Sequence, residues 1–383
     1  MNVAGLFAGI GGFELGLTRA NHHTRLLCEI DPGALAVLGS RFPDVPEIVP
    51  DVTKMEKMPR DVDLVVAGFP CINLSLAGYK QGIDGPDSSL VRHVFRMLER
   101  RRVPNVVLEN VPFMLHLSKG EGMLVILEEF ERLGYRWAYR VVDALSFGLP
   151  QRRERVIFFA SRELDPRGVL LADNHATPPL AKVGKPPATG FYWTEGIRGM
   201  GWAEEALPTL KGGSTVGIPS PPAIWVKGKG IFLPDIRDAE RMQGFEVDWT
   251  KPAESRSRAS HRWKLVGNAV STRVSEWIGK RLADPGEYDE ALDGPFDSTK
   301  TLPKSAWGDG KRRFCAARIT RWPASIRRKP LLDWLQFEPK ELSIKAARGL
   351  TERTSRSKLN FHPGFLEDLA RYLERKQDEA LAS

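Results

Sequence analysis

The sequence predicts an α/β protein: a doubly wound, mainly parallel sheet, a smaller second domain, and a C-terminal, partly helical extension. Three observations carry this reading. Down to about residue 161, short apolar runs rich in β-formers alternate with helical stretches. From about 162 to 235 that alternation dissolves into Gly, Pro and Trp. From 301 onward the chain is basic yet rich in aromatic residues.

Val3–Phe7, Arg25–Glu29, Asp63–Gly68, Asn105–Glu109 and Arg155–Ala160 read as buried strands, because they are short, apolar and bounded by Gly, Pro or Asp. Glu14–Ala20, Gly33–Arg41, Ser88–Arg102 and Glu121–Leu133 read as the helices between them. In such a fold, ligands bind beyond the carboxyl ends of the strands. Functional residues are therefore expected at those ends. The pairs Pro178-Pro179, Pro186-Pro187 and Gly212-Gly213 mark an irregular or short-stranded small domain. Helical periodicity returns at Asp235–Met242 and Thr272–Leu282, and Ala283 to Pro303 reads as a linker. Phe365, Leu366, Leu369, Tyr372 and Leu373 recur at helical spacing near the end.

The composition, 42% hydrophobic and 27% charged, excludes intrinsic disorder. Cys28, Cys71 and Cys315 are scattered, which excludes a disulfide framework or a zinc site and points to a reducing compartment. No apolar run reaches the ~20 residues of a membrane span, and the N-terminus lacks a basic n-region, so a soluble cytoplasmic protein is expected. Residues 301–383 hold 18 Lys and Arg against 10 Asp and Glu, while the whole chain carries 56 against 48. The entire net charge of +8 thus sits in that block, as on a polyanion-facing accessory region or a merely solvated tail.

The first strand runs into Phe7-Ala8-Gly9-Ile10-Gly11-Gly12, a glycine turn at the mouth of a helix. Such a turn lets backbone approach a ligand closely. Glu29 ends the second strand where a ribose hydroxyl pair sits in nucleoside-binding folds of this class, and Asp51 is placed to accept from an adenine amino group. Asp31 before Pro32 reads equally well as a helix N-cap. The fourth strand delivers Cys71 through Gly68-Phe69-Pro70, the fifth ends in Glu109-Asn110-Val111, and Gln151-Arg152-Arg153-Glu154-Arg155 places alternate arginines on one face. A Cys, a Glu and an Arg pair beside a nucleoside site suggest covalent attack on a polarised heteroaromatic ring.

With these strings the chain resembles the cytosine-C5 DNA methyltransferases. Phe-Ala-Gly-Ile-Gly-Gly at 7–12, Gly-Phe-Pro-Cys at 68–71, Glu-Asn-Val at 109–111, Gln-x-Arg-x-Arg at 151–155, Pro-Thr-Leu at 208–210, Arg-Met-Gln-Gly-Phe at 241–245 and Gly-Asn-Ala-Val at 267–270 stand in that family's order, between residue 3 and about 282. The resemblance implies a Rossmann-like class I methyltransferase sheet and S-adenosyl-L-methionine as cofactor. It implies a catalytic and cofactor-binding domain at 1–161, a target-recognition region at 162–265, a helix at 266–283 returning to the catalytic domain, and an accessory extension at 301–383. Phe7 would stack on the adenine, Gly9, Gly11 and Gly12 frame the methionine moiety, Glu29 bind the ribose, Ile30 cover the adenine, and Asp51 hold its amino group. Cys71 matches the nucleophile, Glu109 the ring-activating acid, and Arg153 and Arg155 the substrate-holding arginines. Asn268 and Val270 would close the cofactor pocket.

The implied partner is double-stranded DNA with a flipped cytosine, together with a cognate restriction endonuclease acting on the same site unless the enzyme is an orphan methylase; a monomer is expected. Methylation of tRNA on the same scaffold and a catalytically dead binding protein are the rival readings. Two departures from the family pattern stand out. Gly5 replaces an acid that often precedes Leu-Phe-Ala-Gly, and Cys71-Ile72-Asn73-Leu74-Ser75 replaces the common Cys-Gln-x-Phe-Ser. Specificity is expected chiefly in 162–235, where Trp193, Arg198, Trp202, Trp225, Lys227 and Lys229 offer stacking, hydrogen-bonding and phosphate-binding groups, although at least one of the tryptophans reads better as core of the small domain.

Overall fold

The computed structural model describes every residue except 56, 70–89, 183–186, 215–220, 292 and 383. Strands and helices alternate as β1 (Asn2–Leu6), α1 (Gly12–Arg19), β2 (His23–Cys28), α2 (Pro32–Arg41), β3 (Glu47–Val49), β4 (Leu64–Gly68), α3 (Leu90–Arg100), β5 (Asn105–Asn110), α4 (Glu121–Arg132), β6 (Arg136–Asp143), β7 (Gln151–Arg152), β8 (Glu154–Ser161) and α5 (Pro166–Leu170). Within the main sheet the order is β3-β2-β1-β4-β5-β8-β6. The first five strands run parallel, and β8 is antiparallel to both its neighbours. Strand order reverses at β1 and β4, which opens a crevice at their carboxyl ends.

Alternation along each strand divides its side chains between two apolar layers. Ala4 and Leu6 join Val65, Ala67, Val106 and Leu108 under α3 and α4 on one face. Val3, Val66 and Val107 meet Phe13 and Leu17 of α1 on the other, together with Trp277 and Ile278 of the C-terminal returning helix.

Position 5 departs from that packing. A Cβ at Gly5 would lie 1.9 Å from Oε1 of Glu14, so the Glu14 carboxyl, sent down from α1, fills the space a side chain at 5 would need. Glu14 is 1% exposed, and neither of its oxygens finds a hydrogen-bond partner among the described residues. Burial pushes its pKa from 4.5 up to about 8.

The second body is a five-stranded antiparallel sheet. It contains β9 (Ala188–Phe191), β10 (Ala203–Glu204), β12 (Ala223–Val226) and β13 (Gly230–Leu233), while β11 (Leu207–Pro208) pairs with β7 and ties the two bodies together. Then follow α6 (Ile236–Met242), α7 (His261–Asn268) and α8 (Thr272–Ala283), the last packed against α1.

The segments read as a linker and a separate basic extension belong to both bodies. Strands β14 (Gly294–Pro295), β15 (Ser305–Gly308) and β16 (Arg313–Cys315) lengthen the main sheet beyond β6, with β15 antiparallel to β6. After α9 (Leu331–Trp334), β17 (Lys340–Glu341) pairs with β13, and α10 (Ile344–Ser355) and α11 (Phe365–Ala382) cover the small sheet. Leu350, Phe365, Leu369 and Tyr372 complete one core with Phe191, Trp193 and Trp225. The aromatic residues that argued against a disordered tail are therefore shared core. Part of the basic excess is paired as well: Arg313 with Glu131 at 2.6 Å, and Arg375 with Glu341 at 2.6 Å.

Strand β6 escapes a reading by apolarity because Arg140 interrupts it. That side chain is fully buried, and it donates to the carbonyl oxygens of Leu170 at 3.0 Å and Thr320 at 2.8 Å. Among the described residues no helix is long and apolar enough to cross a membrane.

Candidate active site

The turn after β1 has a demanding backbone. Phe7 sits at φ 55° and Gly11, which caps α1, at φ 83°. Glycine carries the second without strain, whereas Phe7 is held in the left-handed region by its surroundings. Gly12 lets α1 approach the returning chain: a Cβ there would lie 2.3 Å from the carbonyl oxygen of Val270. The Gly9 N–H donates to Oε2 of Glu29 at 2.7 Å, while Oε1 of Glu29 accepts from the N–H groups of Ile30 and Asp31, both at 2.8 Å. Three backbone donors thus fix one carboxylate beside the turn. Among the described residues nothing lies within 4 Å of a Cβ at Gly9, so they leave the turn's edge open. Ile30 next to it is 71% exposed, an apolar side chain left uncovered at a strand end.

Asp51, just beyond β3, caps a short turn at Val52–Lys54. It accepts from the Thr53 hydroxyl at 2.8 Å and the Thr53 N–H at 2.9 Å, and these bonds hold its carboxyl below the usual range. Asp31 serves as the N-cap of α2 and accepts from the His261 ring at 2.9 Å, the structural alternative for that acid.

A second group of residues gathers at β4, β5 and β8. Gly68 and Glu109 are register partners, and a Cβ at Gly68 would stand 3.5 Å from Oε2 of Glu109 and 3.6 Å from Cγ2 of Val270. Nε of Arg155 meets Oε1 of Glu109 at 2.8 Å, both side chains largely buried. Asn110 donates from Nδ2 to the carbonyl of Phe69 at 3.1 Å, which fixes the chain as it leaves β4. Cys71 follows two residues later and lies outside the described residues.

The two arginines of Gln-x-Arg-x-Arg part company. Arg153 is 2% exposed and gives its guanidinium to the carbonyls of Leu210 at 3.0 Å, Gly267 at 3.2 Å and Ala269 at 2.7 Å. These bonds tie the segments at 210 and 267–269 to the start of β8, so in this structure the guanidinium expected to hold substrate is spent on backbone carbonyls. Asn268 and Val270, expected together at the cofactor pocket, face different surroundings. Asn268 is exposed with Oδ1 towards Gly212, in the wall of the cleft between the bodies, whereas Val270 sits against Gly12 and Gly68.

That cleft encloses about 620 Å³ and is lined by Arg152, Glu154, Arg155, Tyr192, Thr209, Lys211, Asn268 and Arg321. The Tyr192 hydroxyl donates to the carbonyl of Thr209 at 2.7 Å, and burial pushes its pKa up to about 12, so it remains a neutral donor. Lys211 lies over the Tyr192 ring at 3.8 Å from its centroid and pairs with Glu195 at 2.9 Å. The sequence reading passed over Tyr192, Lys211 and Arg321; adjacency of Lys211 to Pro208-Thr209-Leu210 was the available signal for one of them. The tryptophans of 193–225 take the core alternative. Trp193 and Trp225 are buried, Trp225 donating to Asp368 at 2.9 Å, and Trp202 packs on Phe365. They form the core of the small body. Lys227, Lys229 and Arg198 are on its surface.

Comparison with known proteins agrees with this geometry. The family model for C-5 cytosine-specific DNA methylase matches residues 1–182. The Type II methyltransferase M2.BsuMI of Bacillus subtilis (strain 168) is 44% identical, over 98% of this chain and 99% of its own. The Type II methyltransferase M.MspI of a Moraxella species is 35% identical, over 73% of this chain and 69% of its own. Among solved structures, S. pombe Dnmt2 methyltransferase superposes with a TM-score of 0.53 at 14% identity, covering 74% of this chain and 98% of that one, a likeness of fold.

Proposed function

The chain belongs to the C-5 cytosine-specific DNA methylases, and from that premise we propose how its residues carry out methyl transfer to cytosine C5. The activity is that of a DNA (cytosine-5)-methyltransferase of the kind found in restriction–modification systems. The substrate in this reading is double-stranded DNA whose target cytosine swings out of the helix, because C5 in a stacked base is out of reach and unstacking costs only a few kcal/mol. A restriction endonuclease acting on the same sequence is the matching partner.

The donor in this reading is S-adenosylmethionine, which when bound supplies the methyl group from its sulfonium. The chain's residues fit it: the Glu29 carboxylate, fixed by three N–H groups, keeps lone pairs for a ribose hydroxyl pair, the described residues leave the edge at Gly9 open, and Ile30 offers an uncovered apolar face. Phe7, Gly11, Gly12, Asp51 and Val270 complete that pocket in our assignment.

At the base, the Cys71 thiolate adds to C6 and makes C5 nucleophilic. Glu109 holds N3 and the exocyclic amino group, so that charge developing in the ring meets a fixed partner. Arg155 orients Glu109 and reaches the base carbonyl. After methyl transfer the C5 proton is lost, the C6–S bond breaks, and the thiolate leaves. A free thiol with pKa ~8.5 is only a few per cent ionised at neutral pH. A guanidinium nearby raises that fraction, and Arg155 is the cation at hand.

The observation that carries the assignment is the Arg155–Glu109 pair at 2.8 Å, standing opposite Gly68 at the sheet edge from which Cys71 follows. Duplex DNA containing 5-fluorocytosine, which cannot lose its C5 substituent as a proton, is expected to trap a covalent adduct with the parent protein and none with Cys71→Ser. Glu109→Gln is expected to lower kcat with cofactor affinity unchanged. A Cys71→Ser variant that still methylates would overturn the covalent mechanism.

A further inference from the structure

The segment between β16 and α9 crosses from the main sheet to the small body, and its backbone is fastened on both. Nε of Arg140 donates to the carbonyl of Thr320 at 2.8 Å, the Asp143 N–H to that of Arg321 at 3.1 Å, and the Ser146 hydroxyl to that of Ala324. Beyond, the Arg328 N–H donates to Pro179 at 2.8 Å, and the Leu331 N–H to the Glu205 carboxylate at 2.7 Å. The strap therefore stays in place without help from the side chain of Arg321. That side chain is 43% exposed, lies 4.8 Å from the centroid of the Trp322 ring, and ends in the wall of the cleft against Glu154. Glu154 stands between Arg153 and Arg155 on β8.

Among the described cations of this wall, Arg152 is exposed and gives its guanidinium only to the carbonyl of Gly201, at 3.4 Å. Arg155 is paired with Glu109 and Lys211 with Glu195. Arg321 is 43% exposed and its partner Glu154 29%, and an ion pair so open to solvent contributes little. A guanidinium fork accepts a phosphate as readily as a carboxylate, in the same bidentate geometry.

We infer that Arg321 is a DNA-phosphate-binding residue of the substrate cleft, supplied by the C-terminal extension, with Glu154 holding its guanidinium until a backbone phosphate takes the carboxylate's place. The inference rests on the methyltransferase reading, which says that this cleft receives the target strand. It makes the extension part of the substrate site as well as of both cores.

The test uses the full-length protein and a random-sequence duplex of about two helical turns, with affinity followed by fluorescence anisotropy over a series of salt concentrations. Arg321→Gln is expected to weaken binding several-fold and to reduce the steepness of log K against log salt by about 0.9, one phosphate contact. Binding of S-adenosylhomocysteine should be unchanged. Glu154→Gln, which frees the guanidinium in advance, is expected to tighten binding with the slope retained. Arg312→Gln, in an exposed pair with Asp309 on the β15–β16 turn, is the control and should leave the slope alone. A purely structural pair would make Arg321→Gln and Glu154→Gln alike, lowering the melting temperature with no change in slope, and that result overturns the inference while leaving the methyltransferase reading intact. A parent protein that neither binds duplex nor traps 5-fluorocytosine would fail both.

Discussion

Glu14→Gln is expected to make the ligand-free protein more stable at neutral and alkaline pH, and by an amount that grows with pH. The parent carboxyl is buried with no hydrogen-bond partner for either oxygen among the described residues, and its pKa is raised from 4.5 to about 8. Below pH 4.5 the group is protonated whether the chain is folded or not. Between 4.5 and 8 the unfolded chain gives up the proton while the folded protein keeps it, so stability falls as pH rises through that window. Each unit of separation is worth about 1.4 kcal/mol, so the total loss by pH 8 is about 4 kcal/mol, of which roughly 2 kcal/mol falls between about pH 6 and pH 8. Glutamine has the shape of the protonated acid and does not titrate. Parent and variant should therefore match near pH 5 and diverge above it. Urea melts at several pH values give the two stability curves, and their difference cancels other titrating groups such as Asp143, which burial pushes up to about 6. Parallel curves, or a variant less stable at pH 8, would mean that the folded protein ionises Glu14 and satisfies it, and would refute the reasoning.

Glu29→Gln turns an acceptor of three N–H bonds into a group that must set a donor against one of them, and is expected to weaken S-adenosylhomocysteine at least tenfold by calorimetry; unchanged affinity would remove Glu29 from the cofactor site. Truncation after residue 300 is expected to give an insoluble or unfolded chain. It removes Leu302 and Trp307 from the main cores and Leu350, Phe365, Leu369 and Tyr372 from the small one, at ~2–5 kcal/mol each against a total stability of ~5–15 kcal/mol. A soluble truncation that melts cooperatively at the parent's temperature would show that the extension is separable after all.

The sequence alone determined the parallel half of the sheet and the candidate site residues expected at its carboxyl edge. Parallel strands are buried on both faces, so Leu64–Gly68 and Asn105–Asn110 read as unbroken apolar runs ending in Gly68 and Glu109. Glycine turns and N-caps are made by neighbours in the chain, so the turn at 7–12 and the cap at Asp31 were legible from a few residues each. Tertiary structure alone decided which of two arginines two residues apart is spent on carbonyls and which meets Glu109, because Leu210, Gly267 and Ala269 arrive from far along the chain. It decided too that Glu14 fills the hollow at Gly5, that the tryptophans of 193–225 form a core with the last helix, and that the basic extension closes both bodies. Local pattern records what a residue does with its neighbours in sequence; a buried Arg140 completed by Thr320, or an Arg321 meeting Glu154, depends on segments more than 160 residues apart whose meeting leaves no periodic trace.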